Sequence, residues 1–188
     1  MRRGELLGLR WREVDLEKGL LTVIQQLARQ RTARLGFGAP KTARGRRTIN
    51  LSPETVNALQ AVRDAQAFAR RALGDAYEAK GDLVFCRDNG TRHDPDVVSK
   101  RFVRHVKKSG VRHLHFHGLR HTSAVIGLRE LGEWPDECTR RLGHSSVAFT
   151  LETYGHLLPE RGQNIAAAFD RLIAERRSKH AREHFVSI

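Results

Sequence analysis

The sequence predicts a mixed α+β domain that is mainly helical, with helices around a small antiparallel sheet. Two segments rich in β-branched residues, 20–27 and 46–51, lie in the first third of the chain and predict short strands. Most of the chain behind them carries apolar residues at helical spacing. With 188 residues, 39% of them hydrophobic, the chain is long enough to pack one core.

The first ten residues contain good helix formers and predict a short helix. A capping residue normally precedes such a run, yet no Ser, Thr, Asp or Asn does so here. We therefore expect a domain that is truncated at its N-terminus. Glycines and a proline punctuate the stretch between segments 20–27 and 46–51, so these segments are expected to pair as the antiparallel sheet.

Two helices are predicted in the middle of the chain. Residues 52–74 begin with Ser-Pro, which is typical of a helix start, and continue with apolar residues at helical spacing. A brief extended segment at 83–85 and a tight turn at 88–90 come next. Residues 94–108 begin with Asp-Pro and predict a second helix with a basic outer face.

The C-terminal part is predicted to be helical as well. One helix runs from His117 to about Leu131, and Pro135 restarts the helical turn after it. The apolar residues of this region predict one stripe: Leu131, Trp134, Cys138 and Leu142.

A last helix is predicted to begin at Pro159 and to end at about residue 176. Its apolar face must be covered, either by the core of its own domain or by a neighbouring protomer. That face consists of Ile165, Ala168, Phe169, Leu172 and Ile173. Residues 1–176 are expected to form the domain, and residues 177–188 a polar tail.

The charge balance points to a polyanionic partner. The 34 Lys and Arg residues outnumber the 21 Asp and Glu residues, which gives a net charge of +13. A membrane surface is disfavoured, because binding to it calls for a basic amphipathic helix with bulky aromatics, and aromatics are 6% of this chain. Nucleic acid is the expected partner.

Sequence features that direct a protein to a membrane or to secretion are missing. No apolar run approaches the roughly 20 residues of a membrane span, and the N-terminus lacks the pattern of a signal peptide. The two cysteines, Cys86 and Cys138, have no CxxC spacing, so no disulfide framework or four-cysteine zinc site is expected. These features predict a cytoplasmic protein.

Five short motifs contain side chains suited to phosphate chemistry. An ordinary reading exists for each alone, since arginine and lysine are typically solvated and tyrosine is common at a core edge. The motifs are Arg2 with Glu5, Lys41 in PKTARGRR, His117 and Arg120 in HGLRHT, His144 in LGHSS, and Tyr154 in TLETYGH.

Taken together, the motifs resemble one family in order and spacing. The chain resembles the catalytic domain of the tyrosine recombinase, or phage integrase, family from Arg2 to about Ile173. The matching strings are R-x-x-E-L-L-x-L-R-W, a lysine in a hairpin, H-x-L-R-H-T, L-G-H-S, and a tyrosine ten residues after that histidine. Family members carry a further N-terminal domain that clamps the DNA, and this domain is expected to be missing here.

The resemblance implies a role for each motif residue. Arg2 and Arg120 would grip the scissile phosphate and stabilise the charge of the transition state. Lys41 would be the general acid that protonates the leaving 5′ oxygen. His117 would assist proton transfer, and His144 would hydrogen-bond the phosphate.

Tyr154 would be the nucleophile, forming a 3′-phosphotyrosyl link that needs neither metal nor cofactor. Glu5 would support the pocket. The partners implied are duplex DNA and further protomers assembled on it. Expected DNA contacts outside the motifs come from basic residues near the lysine hairpin and on the predicted helix 94–108: Arg44, Arg46, Lys100 and Arg104.

Two other functions remain open. The chain is either an active recombinase domain or a DNA-binding remnant that no longer recombines, and covalent attachment of Tyr154 to DNA distinguishes them. A zinc site is a third reading, because alternate residues of a strand or residues four apart on a helix converge on one ion. Its ligands would be His113, His115, His117 and His121.

Overall fold

The computed structural model describes residues 1–30, 34–40, 43–158 and 167–176. The chain divides into two units, Met1–His156 and Leu157–Ile188. Within the described residues of the larger unit, the helices are α1 (Arg3–Leu7), α2 (Pro53–Leu73), α3 (Pro95–Lys108), α4 (Phe116–Val125), α5 (Pro135–Leu142) and α6 (Val147–Tyr154). The strands are β1 (Val14–Asp15), β2 (Leu20–Val23), β3 (Gln26–Arg29), β4 (Leu35–Gly38) and β5 (Arg47–Asn50). The predicted class, mainly helical α+β, is confirmed.

The strands form two antiparallel sheets. The first has the order β1-β2-β5, with Leu21 opposite Ile49 and Val23 opposite Arg47. The second is a hairpin of β3 and β4. A core cluster lies against the first sheet and includes a residue of α2; its members are Leu9, Leu21, Val23, Leu59 and Val84.

The prediction of one strand over 20–27 in one sheet is wrong. Strand β2 ends at Val23, and Gln26 begins β3 in the second sheet. Between them, the Gln25 side-chain amide donates to the Gly8 carbonyl oxygen at 2.7 Å. This hydrogen bond fixes the chain where it leaves the first sheet, and Leu27 is then buried in β3, which packs against α1.

Helix α1 is held between β3 and α3. A Cβ atom on Gly4 would lie 2.6 Å from the Leu27 carbonyl oxygen, so this close approach requires glycine. On the other side, the Arg3 guanidinium donates to Ser99 Oγ at 2.6 Å and to the Pro95 carbonyl oxygen at 3.0 Å. The residues around α1 are thereby placed accurately relative to the rest of the unit.

The predicted helices 52–74 and 94–108 are confirmed as α2 and α3. The Ser52 side chain accepts a hydrogen bond from the Thr55 amide, and the Asp94 side chain accepts from the amides of Asp96 and Val97. Both helices place a proline in their first turn, where its missing amide hydrogen costs nothing.

The predicted stripe from Leu131 to Leu142 is only half correct. Cys138 and Leu142 are buried, but Leu131 is 78% exposed and Trp134 is 60% exposed. Helix α4 continues as a π-helical turn over Ile126–Glu130, and Gly132 then adopts φ +66°. The chain therefore changes direction before α5, and the two halves of the stripe do not share a face.

Arg141 connects α5 to α4 and to the loop between them. The Arg141 guanidinium binds both carboxylate oxygens of Glu133, at 2.7 and 2.6 Å, and also donates to Ser123 Oγ at 2.7 Å. Arg47 reaches the same region, since its Nε donates to the Arg141 carbonyl oxygen at 2.8 Å. These contacts fix the elements that carry Arg120 and His144.

In the smaller unit, residues 167–176 are helical. Phe169, Leu172 and Ile173 on this helix are exposed. The predicted helix start at Pro159, Ile165 and the predicted tail 177–188 lie outside the described residues. In the parts of the chain that the structure describes, no helix is long and apolar enough to cross a membrane.

Candidate active site

Glu5 is the buried centre of an arginine pair. It is 1% exposed and accepts hydrogen bonds from the Arg2 amide (2.7 Å), Arg2 Nη1 (2.9 Å) and Arg47 Nη1 and Nη2 (3.2 and 2.8 Å). Burial alone would raise the pKa of Glu5, but the hydrogen bonds from Arg47 and Arg2 outweigh it and lower the pKa to about 2. Glu5 is therefore ionised and holds Arg2 in place.

Arg2 also connects α1 to the end of α5. Its Nη2 donates to the Gly143 carbonyl oxygen at 2.9 Å. Gly143 ends α5 with φ +69°, a conformation that favours glycine, and this turn directs the chain into His144. Arg2, His144 and Phe149 line part of a cleft of about 400 Å³ beside this turn.

Arg120 is a buried arginine on α4. It is 6% exposed, and within the described residues neither Nη1 nor Nη2 has a hydrogen-bond partner. Burial and repulsion from Arg2 lower its pKa to about 10, so it stays charged at neutral pH. A buried charge without a partner is costly, and an anion that binds there would remove the cost.

His144 is held by a chain of hydroxyl groups. Thr139 Oγ1 donates to the Pro135 carbonyl oxygen at 2.6 Å, so it must accept at 2.7 Å from Thr150 Oγ1. The Thr150 hydroxyl hydrogen is then used, and His144 Nδ1, 2.8 Å away, is the donor to Thr150. Burial, Arg120 and Arg2 lower the pKa of His144 to about 4, which leaves a neutral ring with its lone pair on Nε2.

Tyr154 lies at the end of α6 and is 4% exposed. Its hydroxyl lies 2.6 Å from His121 Nδ1, and its ring stacks near His144 with a centroid distance of 6.3 Å. Burial raises the pKa of the phenol, although the charge on Arg120 opposes this. The tyrosine is therefore neutral in this state.

His117 completes the group from the exposed side of α4. Its ring meets the His121 ring edge-on, with centroids 4.8 Å apart. Burial, His121 and Arg120 lower the pKa of His117. The structure thus brings together six of the predicted site residues: Arg2, Glu5, His117, Arg120, His144 and Tyr154.

The remaining predicted residues are either outside the described residues or exposed on the surface. Lys41 lies outside the described residues. Arg44 is exposed and donates to the Ser145 carbonyl oxygen at 2.8 Å, next to His144. Arg46, Lys100 and Arg104 are exposed, which leaves their contact with DNA a prediction.

Sequence reasoning missed four residues that support this site. Arg47 is the one of the four with a signal in the sequence. Side chains alternate along a strand, so an arginine on the inward face of β5 would need a buried carboxylate as its partner. Thr139 and Thr150 carry no local signal for the hydroxyl chain. The sequence predicts His121 only as a zinc ligand, and among the described residues no group of three His, Cys, Asp or Glu side chains is arranged to hold a metal ion.

A buried unpaired arginine, an ordered Arg–Glu pair and histidines around one buried tyrosine form the arrangement expected of a tyrosine recombinase. The Phage integrase family matches residues 1–161 of the chain. The chain belongs to this family.

Curated relatives agree with this assignment. A tyrosine recombinase XerC-like protein of Caldanaerobacter subterraneus is 29% identical over 175 residues, which cover 87% of this chain and 44% of that protein. Prophage integrase IntR of Escherichia coli K12 is 32% identical, covering 82% of this chain and 40% of that protein. The chain thus spans less than half the length of these relatives.

Solved structures share the fold. The Tn1549 transposon integrase in complex with transposon right end DNA matches with a TM-score of 0.71 and 25% identity, over 92% of this chain and 55% of that one. The XerA recombinase matches with a TM-score of 0.62 and 24% identity, over 85% of this chain and 54% of that one.

Proposed function

We propose that residues 1–176 are the catalytic domain of a site-specific DNA recombinase that acts in the cytoplasm. Tyr154 would cleave and rejoin duplex DNA through a 3′-phosphotyrosyl intermediate. The observation that carries the proposal is the buried guanidinium of Arg120. Its two terminal nitrogens have no hydrogen-bond partner among the described residues, and its charge is close enough to Tyr154 to affect the pKa of the phenol. The anion would be a phosphodiester, which Arg120 would bind and Tyr154 would attack.

The arginines would supply the positive charge for the reaction. Arg120 and Arg2 would bind the non-bridging oxygens of the scissile phosphate and stabilise the pentacoordinate transition state. The Arg120 nitrogens are shielded from water, so a neighbouring group must give way when the phosphate enters. Because two guanidinium groups neutralise the phosphate, we propose that the reaction uses no metal or other cofactor.

His144 would change its protonation state on binding. Its Nδ1 hydrogen is committed to Thr150, so only Nε2 is left to serve the phosphate, and Nε2 must take up a proton before it can donate. A bound phosphate offsets the charges of Arg120 and Arg2, the same charges that now lower the pKa of His144. We propose that DNA binding therefore brings a proton to this ring.

The chemical step would then proceed by substitution at phosphorus. The Tyr154 oxygen attacks, the bond to the 5′ oxygen breaks, and Lys41 protonates the leaving oxygen. His117 would assist the proton movements. Attack of a 5′ hydroxyl on the phosphotyrosyl bond reverses the reaction and rejoins the strand, so no external energy source is needed.

Covalent trapping tests the proposal. The full chain is incubated with a nicked duplex that loses a short product after cleavage, and the protein is separated on a denaturing gel. We expect a DNA adduct with the wild-type chain and none with Tyr154→Phe, which removes only the attacking oxygen. Tyr77→Phe is the matched control and should retain the adduct. A chain that binds DNA but never forms the adduct is the DNA-binding remnant.

A further inference from the structure

The Tyr154 hydroxyl has a partner that the motif roles leave unexplained. Within the described residues its hydrogen bond runs to His121 Nδ1, at 2.6 Å. His121 lies on α4 directly after Arg120, and its own side chain is exposed. The buried phenol is thus connected to solvent through an imidazole ring.

The direction of this hydrogen bond follows from the protonation states. Burial raises the pKa of Tyr154, so its hydroxyl carries a hydrogen and donates it. His121 Nδ1 is then the acceptor. His144 Nδ1 is a donor to Thr150, and arginine has no acceptor atom. His121 is therefore the group already placed to receive the phenolic proton.

We propose that His121 accepts the proton of Tyr154 as the phenolic oxygen attacks phosphorus. This inference rests on the proposed function. The O–H bond breaks as the Nδ1–H bond forms, the tyrosyl O–P bond forms as the bond to the 5′ oxygen breaks, and the leaving oxygen takes its proton from the general acid. On rejoining, His121 returns the proton to the departing tyrosine oxygen.

The surroundings of His121 make this transfer depend on DNA. Two other histidines lie near it: His117, at 4.8 Å between ring centroids, and His144, with which it interacts electrostatically. A bound phosphate would add negative charge beside the ring that takes up the proton, so proton transfer and attack would be favoured when DNA is in place.

A substrate with sulfur in place of the bridging 5′ oxygen isolates this step. Sulfur leaves without protonation, so losing a general acid is tolerated on this substrate, whereas losing the proton acceptor is not. We expect His121→Ala to lower the single-turnover cleavage rate at least about 100-fold on both the oxygen and the sulfur substrate. Added imidazole should restore part of the rate. Lys41→Ala should be slow on the oxygen substrate alone.

A second variant separates proton transfer from positioning. His121→Asn offers a hydrogen-bond acceptor near the same place but cannot take a proton, so it should be as slow as His121→Ala. His113→Ala, an exposed histidine outside the site, should cleave like the wild type. Retained DNA binding and an unchanged melting temperature establish that each variant is folded.

The outcomes distinguish this inference from the proposed function. A His121→Ala chain that cleaves within about threefold of the wild type, or a His121→Asn chain with the wild-type rate, overturns the inference while the wild-type adduct still supports the function. Rescue of His121→Ala by the sulfur substrate would assign it to the leaving group and overturn the inference too. A wild-type chain that forms no adduct overturns both.

Discussion

At the scale of single residues, two buried arginines differ in whether their charge is paired. Arg47 is paired with the Glu5 carboxylate, whereas both terminal nitrogens of Arg120 lack a hydrogen-bond partner among the described residues. Removing one member of a buried ion pair leaves the other charge uncompensated and is strongly destabilising, whereas a buried charge that has no partner already opposes folding. The structure therefore keeps Arg120 at a cost to stability, as is typical of a binding residue.

Replacing each arginine by methionine should separate these roles. Arg120→Met removes an unpaired charge, so we expect the free energy of unfolding to rise. The cleavage rate should fall roughly 100- to 1000-fold, because the transition state loses about 3 to 4 kcal/mol of stabilisation. Arg47→Met leaves the Glu5 carboxylate without its main partner and should cost roughly 3–5 kcal/mol of stability. Denaturant unfolding and single-turnover cleavage measure the two effects. Equal destabilisation of both variants would contradict the assignment.

Glu5 predicts how stability depends on pH. Its pKa is about 2 in the folded chain against an ordinary value of 4.5. Because folding lowers this pKa, the ionised carboxylate contributes its full stabilisation of the folded chain above about pH 4.5. This contribution is lost as the pH falls from about 4.5 to 2. We expect Glu5→Gln to be less stable than the wild type at neutral pH, on the order of 3 kcal/mol, since one pKa unit corresponds to about 1.4 kcal/mol.

Unfolding curves at several pH values test this expectation. The difference between the wild type and Glu5→Gln should shrink as the pH approaches 2. The exposed Glu17 provides the control, because Glu17→Gln should follow the wild-type curve. A constant difference across the acid range would show that the carboxylate does not contribute through its charge.

At the scale of secondary-structure elements, the exposed apolar face of the helix at 167–176 leads to a separate prediction. Its Phe169, Leu172 and Ile173 are exposed, and an apolar patch of this kind is typical of an interaction surface. We propose that another protomer covers it when the protein assembles on DNA. Phe169→Ser with Leu172→Ser should then abolish cooperative binding to DNA with two sites, without changing the melting temperature.

A polar position on the same helix controls for this effect. Asp170→Ser removes an exposed side chain and should leave both cooperativity and melting temperature unchanged. If the double serine variant instead melts many degrees lower, the apolar face is part of the core of its own chain. The gel-shift pattern on one-site and two-site DNA reports the cooperativity.

Elements were predictable from sequence where local chemistry determines them. Helices α2 and α3 carry their own caps, Ser52 and Asp94, so their starts were predicted correctly. The apolar stripe through Leu131 and Trp134 was wrong, because φ +66° at Gly132 redirects the chain and the spacing of apolar residues does not show this. The separation of the strands into two sheets likewise depends on tertiary contacts.

The site was predictable from its motifs but not from any one residue. Order and spacing predicted the residues of the site, and six of them lie together in the structure. The partners of their supporting residues were not visible in sequence: Arg47 is 42 residues from Glu5, and the Thr139–Thr150 bond spans 11 residues. Such pairs form only when the fold brings separate elements together.

For the whole molecule, net charge makes the broadest prediction. A charge of +13 favours binding to the phosphate backbone, and each phosphate contacted contributes about −0.9 to the slope of log K against log salt. We expect Lys100→Ala with Arg104→Ala to reduce the magnitude of the slope by about 2. Lys18→Ala should leave it unchanged, because Lys18 already lies 3.5 Å from Asp15. A slope near zero for the wild type would exclude the DNA backbone as the partner.

The central claim is that Tyr154 becomes covalently joined to DNA, and mass spectrometry of the trapped chain tests it most directly. Trypsin releases residues 142–161, which contain this tyrosine and no other. We predict that, after nuclease treatment, this peptide carries the mass of a 3′-linked nucleotide on Tyr154. Nucleotide mass on a different residue, or an unmodified peptide from a chain that has cleaved its substrate, would contradict the account.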